Sequence, residues 1–307
     1  MAEISIGGAV GEGFTLIRTR FLTVLAWGLL PISITLISML LLGSIMTQAF
    51  GQIAQQAKLG ASAAAPNLQG MMQAQALNYL LNFVSLFVNA VVSCAVFRAV
   101  LRPEQSRFAY LRFGLPELLL ALFLIGVGIA LGVGLVVAMI PIVIVIMVLT
   151  MSHLIAVAII VGVLLGVAAF VALVYAGLRL SLVGPMLVDE GQLQPTEAWK
   201  LTKGKVGSLL AIGLLLFLIL IVGEVILALV LGAIGFGTLA AMAGGLQNLP
   251  NLAHDPATLF AKLMPLFIGL AVLFIPIAGC ASAIVSAPWA RAYRDLKPKG
   301  DIAATFA

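Results

Sequence analysis

From Leu118 to Leu178 the chain runs sixty-one residues without a single Asp, Glu, Lys or Arg. Wholly helical, that stretch would measure on the order of 90 Å. Soluble domains are about 25% charged and roughly 45 to 50% apolar, whereas this chain is 9% charged and 63% hydrophobic, with a mean hydropathy of +1.23. So few charges cannot cover the surface of a 307-residue soluble fold. The intended solvent is therefore lipid.

A hydrocarbon core about 30 Å thick is crossed by about 20 apolar residues in a helix. Six segments are that long: Phe21 to Met46, Ala76 to Leu101, Leu118 to Met139, Leu154 to Leu178, Val206 to Ala233 and Leu263 to Pro288. Barrel strands would show short alternating segments, so these unbroken runs predict an all-α, polytopic transmembrane helical bundle. It forms one transmembrane domain over 1–307, with an interfacial helix at 1–20 and a tail at 289–307. Phe21 to Met46 is longer than a signal-peptide core and no small-residue cleavage site follows it, so it reads as a retained helix.

Leu118 to Leu178 has room for two long tilted spans or three short ones. Pro141 and the Thr150, Ser152, His153 cluster offer one turn region, with Ile142 to Val148 extending a helix beyond the membrane. Charge decides between the counts. Two spans place Arg18, Arg20, Arg98, Arg102, Arg107, Arg112, Arg179, Lys200, Lys203, Lys205, Arg291, Arg294, Lys297 and Lys299 on one side, fourteen of the sixteen basic residues. Only Lys58 and Lys262 lie opposite. A third span would carry Lys200, Lys203 and Lys205 across and spoil the asymmetry. The positive-inside rule thus predicts six spans, as three helical hairpins, with both termini cytoplasmic. The net charge of +5 is accounted for by this orientation, and nucleic acid is not an expected partner. Cys94 and Cys280 sit inside apolar runs, where a thiol acts as a small hydrophobe.

Ahead of the first span, Ile4, Ile6, Val10, Phe14 and Ile17 with Glu12, Arg18 and Arg20 suggest an amphipathic interfacial helix. Aligning Glu12 to Leu30 with Glu197 to Leu215 matches Glu12 with Glu197, Leu16 with Leu201, Leu25 with Leu210, Ala26 with Ala211 and Gly28 with Gly213. Phe14 meets Trp199, and Arg18 and Arg20 meet Lys203 and Lys205. The shared unit is a headgroup-level aromatic, two cations and then a span. Tyr110 to Leu122, with Arg112 and Glu117, reads as a weaker middle copy. On the opposite side, Gln48 to Gln75 and Gly235 to Lys262 read as exposed loops, with room for a short helix in each.

The stretch LRLSLVGPMLVDEGQLQPTEAWKLTKGKVG, Leu178 to Gly207, resembles a loop of the bacterial membrane-domain family named after glycerophosphoryl diester phosphodiesterases. There an Arg and a Pro lead to an acidic-Gly turn and then a Trp, Leu, Thr and Gly helix. Arg179, Pro185, Glu190, Gly191, Trp199, Leu201, Thr202 and Gly204 carry the likeness, and RAVLRPEQSRFAYLRFGLPEL at Arg98 to Leu118 is the other cation-rich loop. In that family the catalytic residues belong to an attached hydrolase barrel, which this chain lacks. The resemblance implies a lipid- or envelope-associated protein of the bacterial cytoplasmic (inner) membrane, and it does not transfer phosphodiesterase activity to this chain.

Glu224 is the one carboxylate inside a predicted span, and such a group costs several kcal/mol unless neutralised or paired. Asn78, Asn82, Ser85, Asn89 and Ser93, spaced four and three apart, form one polar helical stripe at a similar depth. Two readings follow: a proton or substrate site, or a protonated Glu224 bonded to Asn82 as interhelical glue. Gly128 with Gly132, and Gly162 with Gly166, read as small-residue pairs for close helix packing. His153 and His254, the latter beside Asp255, are too sparse for a metal site. No nucleophile elbow, phosphate loop or zinc helix occurs. The basic clusters orient the chain, and Arg18, Arg20, Arg98, Arg102, Arg112, Arg179, Lys200, Lys203, Lys205, Arg291 and Arg294 are candidate contacts for anionic lipid headgroups, each worth about 1 kcal/mol. The expectation is a non-enzymatic membrane protein without cofactor or metal, acting as a lipid-interacting scaffold or accessory subunit, with a protein partner or a second copy as further candidates. The alternative is a small transporter or channel using Glu224 and the polar stripe.

Overall fold

A computed structural model describes residues 4–58, 68–104, 106–242 and 256–297. It is all-α, with no strand among the described residues. Helix α1 spans Ile6–Thr19, α2 Phe21–Lys58, α3 Leu68–Leu101, α4 Leu115–Met151, α5 Ile155–Leu180, α6 Val183–Glu190, α7 Pro195–Leu201, α8 Val206–Met242 and α9 Pro256–Leu296. Six of these stretches are long and apolar enough to cross a membrane: Phe21–Leu41, Met72–Leu101, Arg107–Met151, Ile155–Glu190, Val206–Thr238 and Ile268–Leu296. The chain is therefore a multi-pass membrane protein by length and composition.

The helices outrun the expected spans. The 38 residues of α2 measure about 57 Å, so the helix passes well beyond a hydrocarbon core of about 30 Å. Most of Gln48 to Gln75 is accordingly helical, because Gln, Ala and Met favour helix without being apolar enough for lipid. Its centre, 59–67, lies outside the described residues, as do 243–255, which contain His254. Pro141 does not end its helix: α4 continues through it to Met151, as transmembrane helices tolerate proline. The turn falls at Ser152 to Leu154, where His153 adopts φ 59° and its N–H bonds the Thr150 carbonyl at 3.0 Å.

Two compact units divide the chain. One comprises 1–12, 93–213 and 286–307. Here α4 runs along α5 and also contacts α6, while α7 contacts α5 and α6. Leu182, Leu187 and Val96 form its buried centre. Gly184 lets the Phe97 ring lie against the backbone of α6, at 2.7 Å from where a Cβ would stand. The other comprises 13–92 and 214–285. In it α2 and α9 touch backbone to backbone: a Cβ on Gly28 would overlap the Ile275 carbonyl, and one on Gly279 the Val24 carbonyl. Such contact without side chains between is how membrane helices gain van der Waals attraction where no hydrophobic effect drives them together.

The expected small-residue pairs behave differently. Gly128, Gly132 and Gly166 face open space, whereas Gly162 lies against the Ile146 side chain of α4, so among these glycines Gly162 alone meets another helix within the described residues. Along α4 and α5 the apolar side chains stand exposed, for example Val143, Ile144, Ile159 and Phe170, as lipid-facing residues do.

The internal repeat is realised in register. Phe21 opens α2 and Val206 opens α8, the same 185-residue offset that aligns Glu12 with Glu197. Each follows a short helix, α1 or α7. In the middle copy Leu115 opens α4, preceded by a single turn at Arg107–Tyr110. Glu117 lies in the first turn of α4 rather than before the span. In all three an exposed aromatic precedes the opening residue by seven and a cation precedes it by three: Phe14, Arg18 and Phe21; Phe108, Arg112 and Leu115; Trp199, Lys203 and Val206.

Candidate functional site

Charge within the unit that holds α4 to α7 gathers where α3 ends and α4 begins. Pro103 and Pro116 cannot donate to a helix ladder, so the chain between α3 and α4 takes an irregular path. Along it Phe108, Ala109 and Tyr110 adopt φ of 51°, 55° and 62°, the left-handed region that costs a side-chain-bearing residue roughly 1–2 kcal/mol. Buried contacts offset that cost. Tyr110 is 1% exposed, its hydroxyl donates to the Pro103 carbonyl at 2.9 Å, and its own carbonyl accepts from Arg98 Nη1 at 3.3 Å.

The same Arg98 forms an ion pair with Glu117, whose side chain is 0% exposed. The arginine-facing oxygen Oε1 makes that contact as a charge pair without a well-directed hydrogen bond. The other oxygen, Oε2, accepts from the Gly114 N–H at 3.0 Å, which places a negative charge on the first turn of α4, where the helix dipole favours it.

Around this pair lies a cleft of about 450 Å³, lined by Arg98, Arg102, Arg112, Phe113, Gly114, Pro116, Glu117, Val188, Glu190 and Gly191. Its second wall is the end of α6. Gly191 terminates that helix in the left-handed conformation, φ 75°, which glycine adopts without strain. Asp189 and Glu190 are fixed by α9: the Tyr293 hydroxyl reaches Asp189 Oδ2 at 3.0 Å and Glu190 Oε1 at 2.9 Å, and Lys297 pairs with Asp189. Arg102 Nε stands 3.8 Å from Asp189 Oδ1, and its Nη2 donates to the Asp189 carbonyl.

The other candidate headgroup cations divide by environment. Arg179 is buried at 5% exposure; its guanidinium lies 4.6 Å from the Trp199 ring centre and 5.7 Å from that of Tyr175, and Nη1 reaches Thr202 Oγ1 at 3.4 Å. Arg291 and Arg294 stand 3.3 and 3.6 Å from Glu12. Lys200 pairs with Glu197 one helical turn away. Arg20 and Lys205 are half-buried, and Arg18, Arg112 and Lys203 are exposed. Arg98 and Arg179, expected at the surface, are thus internal.

Glu224 is exposed on α8, and among the described residues it makes no hydrogen bond or ion pair. The polar stripe bonds to itself: Asn82 Nδ2 reaches both the carbonyl and Oδ1 of Asn78 at 2.8 Å. Asn78, Asn82 and Asn89 are exposed and Ser85 is half-buried, while Ser93 lies 3.5 Å from Ser286. The cleft does not include Glu224 or any residue of the stripe. Among the described residues no three His, Cys, Asp or Glu side chains converge as metal ligands would. The partnerships of Arg98 with Glu117 and of Arg102 with Asp189 escape sequence reading because their members come from separate segments of the chain. The proline-flanked loop and the DEG turn are the local signals that mark the walls of the cleft. Comparison with protein-family models, curated proteins and solved structures gives no match.

Proposed function

We propose that the chain is a non-enzymatic, lipid-interacting scaffold or accessory subunit of a bacterial inner membrane, with both termini cytoplasmic. The observation that carries this is the threefold recurrence of an exposed aromatic, a cation four residues later and a helix start three beyond that. An aromatic ring prefers the headgroup level and a cation beside it meets phosphates. Each such step offers anionic lipid the same aromatic and cation, and the basic asymmetry of the sequence supports a cytoplasmic side for all three. In the loop from Leu178 to Gly207, which carries the resemblance to the phosphodiesterase-associated membrane domains, Gly191 and Gly204 are the described glycines with positive φ, and Trp199 lies on the helix between them.

The test is lipid selectivity. Reconstituted with phosphatidylcholine and a minor fraction of spin-labelled phosphatidylglycerol, the protein is expected to enrich the anionic lipid in its annulus. Neutralising Arg18, Arg112 and Lys203 together should abolish the enrichment. An annulus of bulk composition for the native chain would refute the reading. A transporter using Glu224 and the polar stripe remains the competing proposal, and counter-flow of a labelled solute lost in Glu224→Gln would favour it.

A further inference from the structure

We infer that the cleft at the start of α4 is a discrete site for one phosphodiester monoanion, supplied by a phospholipid headgroup. This deepens the lipid-interacting reading and rests on it. The cleft's volume of about 450 Å³ falls within the roughly 300–1,000 Å³ of small-ligand sites.

Its charge selects the ligand. The lining carries three arginines and two glutamates, and counting the adjoining Asp189 together with its partner Lys297 leaves the net charge at plus one. Arg98 is held by Glu117 and Arg102 by Asp189, whereas Arg112 is exposed and makes no hydrogen bond or ion pair with any described residue. A monoanion balances this site and a dianion overshoots it. The planar guanidinium fork suits the oxygens of a phosphodiester. The walls are set beforehand, since Gly114 fixes Glu117 and Tyr293 fixes Glu190.

Its rim selects the source. Phe113 at the mouth is 73% exposed, and Leu115, Leu118 and Leu122 are 65%, 46% and 52% exposed. The three leucines are spaced three and four apart and so form one stripe along α4 that begins at the cleft. A soluble anion gains nothing from that stripe, whereas a lipid whose phosphate occupies the cleft lays an acyl chain on it.

The experiment is native mass spectrometry of the full chain in detergent with phosphatidylglycerol, at about 0.5 M salt, where screening confines charge effects to a few ångström. The native chain is expected to retain one phosphatidylglycerol in preference to phosphatidylcholine. Arg112→Gln should lower retention about tenfold, and Arg107→Gln, an exposed cation outside the cleft, by no more than about twofold. Dimethyl phosphate at millimolar concentration should not displace the lipid. Arg112 makes no hydrogen bond or ion pair with any described residue, so reduced retention does not report the loss of an internal polar contact. Equal losses in both variants, or loss in neither, with the native preference intact, would overturn the cleft and leave the lipid reading standing. Displacement by dimethyl phosphate would overturn the lipid as source. Absence of any preference in the native chain would remove the lipid reading, and the site with it.

Discussion

Replacing Glu117 by Gln removes one charge from the most enclosed ion pair described here. The side chain is 0% exposed and its partner Arg98 is 8% exposed, so water cannot take over the missing role. Arg98 would keep its charge with only the Tyr110 carbonyl as an acceptor. Breaking a buried pair from one side costs about 3–5 kcal/mol, whereas replacing both members by apolar groups of similar size is often neutral. The glutamine can still accept from Gly114, so the loss isolates the charge. At roughly 2 °C per kcal/mol, the detergent-solubilised full chain should melt about 6–10 °C lower as Glu117→Gln. The double variant Arg98→Met/Glu117→Leu should recover most of that loss. A single variant melting within about 2 °C of native, or a double variant no better than the single, would refute the claim that this contact is a buried pair whose charges compensate each other.

Three further outcomes follow from the geometry. Gly28→Ala should destabilise by about 1–3 kcal/mol because its Cβ meets the backbone of α9, whereas Gly213→Ala, its repeat partner, has only Leu178 and Trp289 at 3.8 and 3.9 Å and should be neutral or slightly stabilising; thermal melts of the pair check this. Trp199→Ala should cost about 1–2 kcal/mol by exposing Arg179 from its ring contact, and Trp199→Phe should recover more than half, read by the same melts. Glu224→Leu should leave the melting temperature unchanged or raise it, since an exposed carboxyl on an apolar helix is lost without loss of a partner; a lower melting temperature would reveal a contact with a second copy or another protein.

The six crossings were readable because apolar length is a property of each segment alone. The two outer repeat starts, Phe21 and Val206, were readable because an aligned offset survives any packing. The limits of the helices were not, since Gln48 to Lys58 is polar enough for a loop and equally good in a helix. Pro141 misled because its lost hydrogen bond is tolerated within a long membrane helix. Arg98 and Arg179 looked like Arg112 in sequence. What distinguishes them is Glu117, nineteen residues from Arg98, and Trp199, twenty residues from Arg179, and no local pattern announces such pairings.

The turn between α4 and α5 consists of only Ser152, His153 and Leu154. With both termini cytoplasmic, as proposed, a hairpin with so small a tip would bring almost nothing hydrophilic through the bilayer during biosynthesis, and from Leu118 to Leu178 it carries no Asp, Glu, Lys or Arg. This part of the chain is therefore suited to insertion as a helix pair in one step, and a charged tag spliced at His153 would impose a translocation burden that the native sequence avoids.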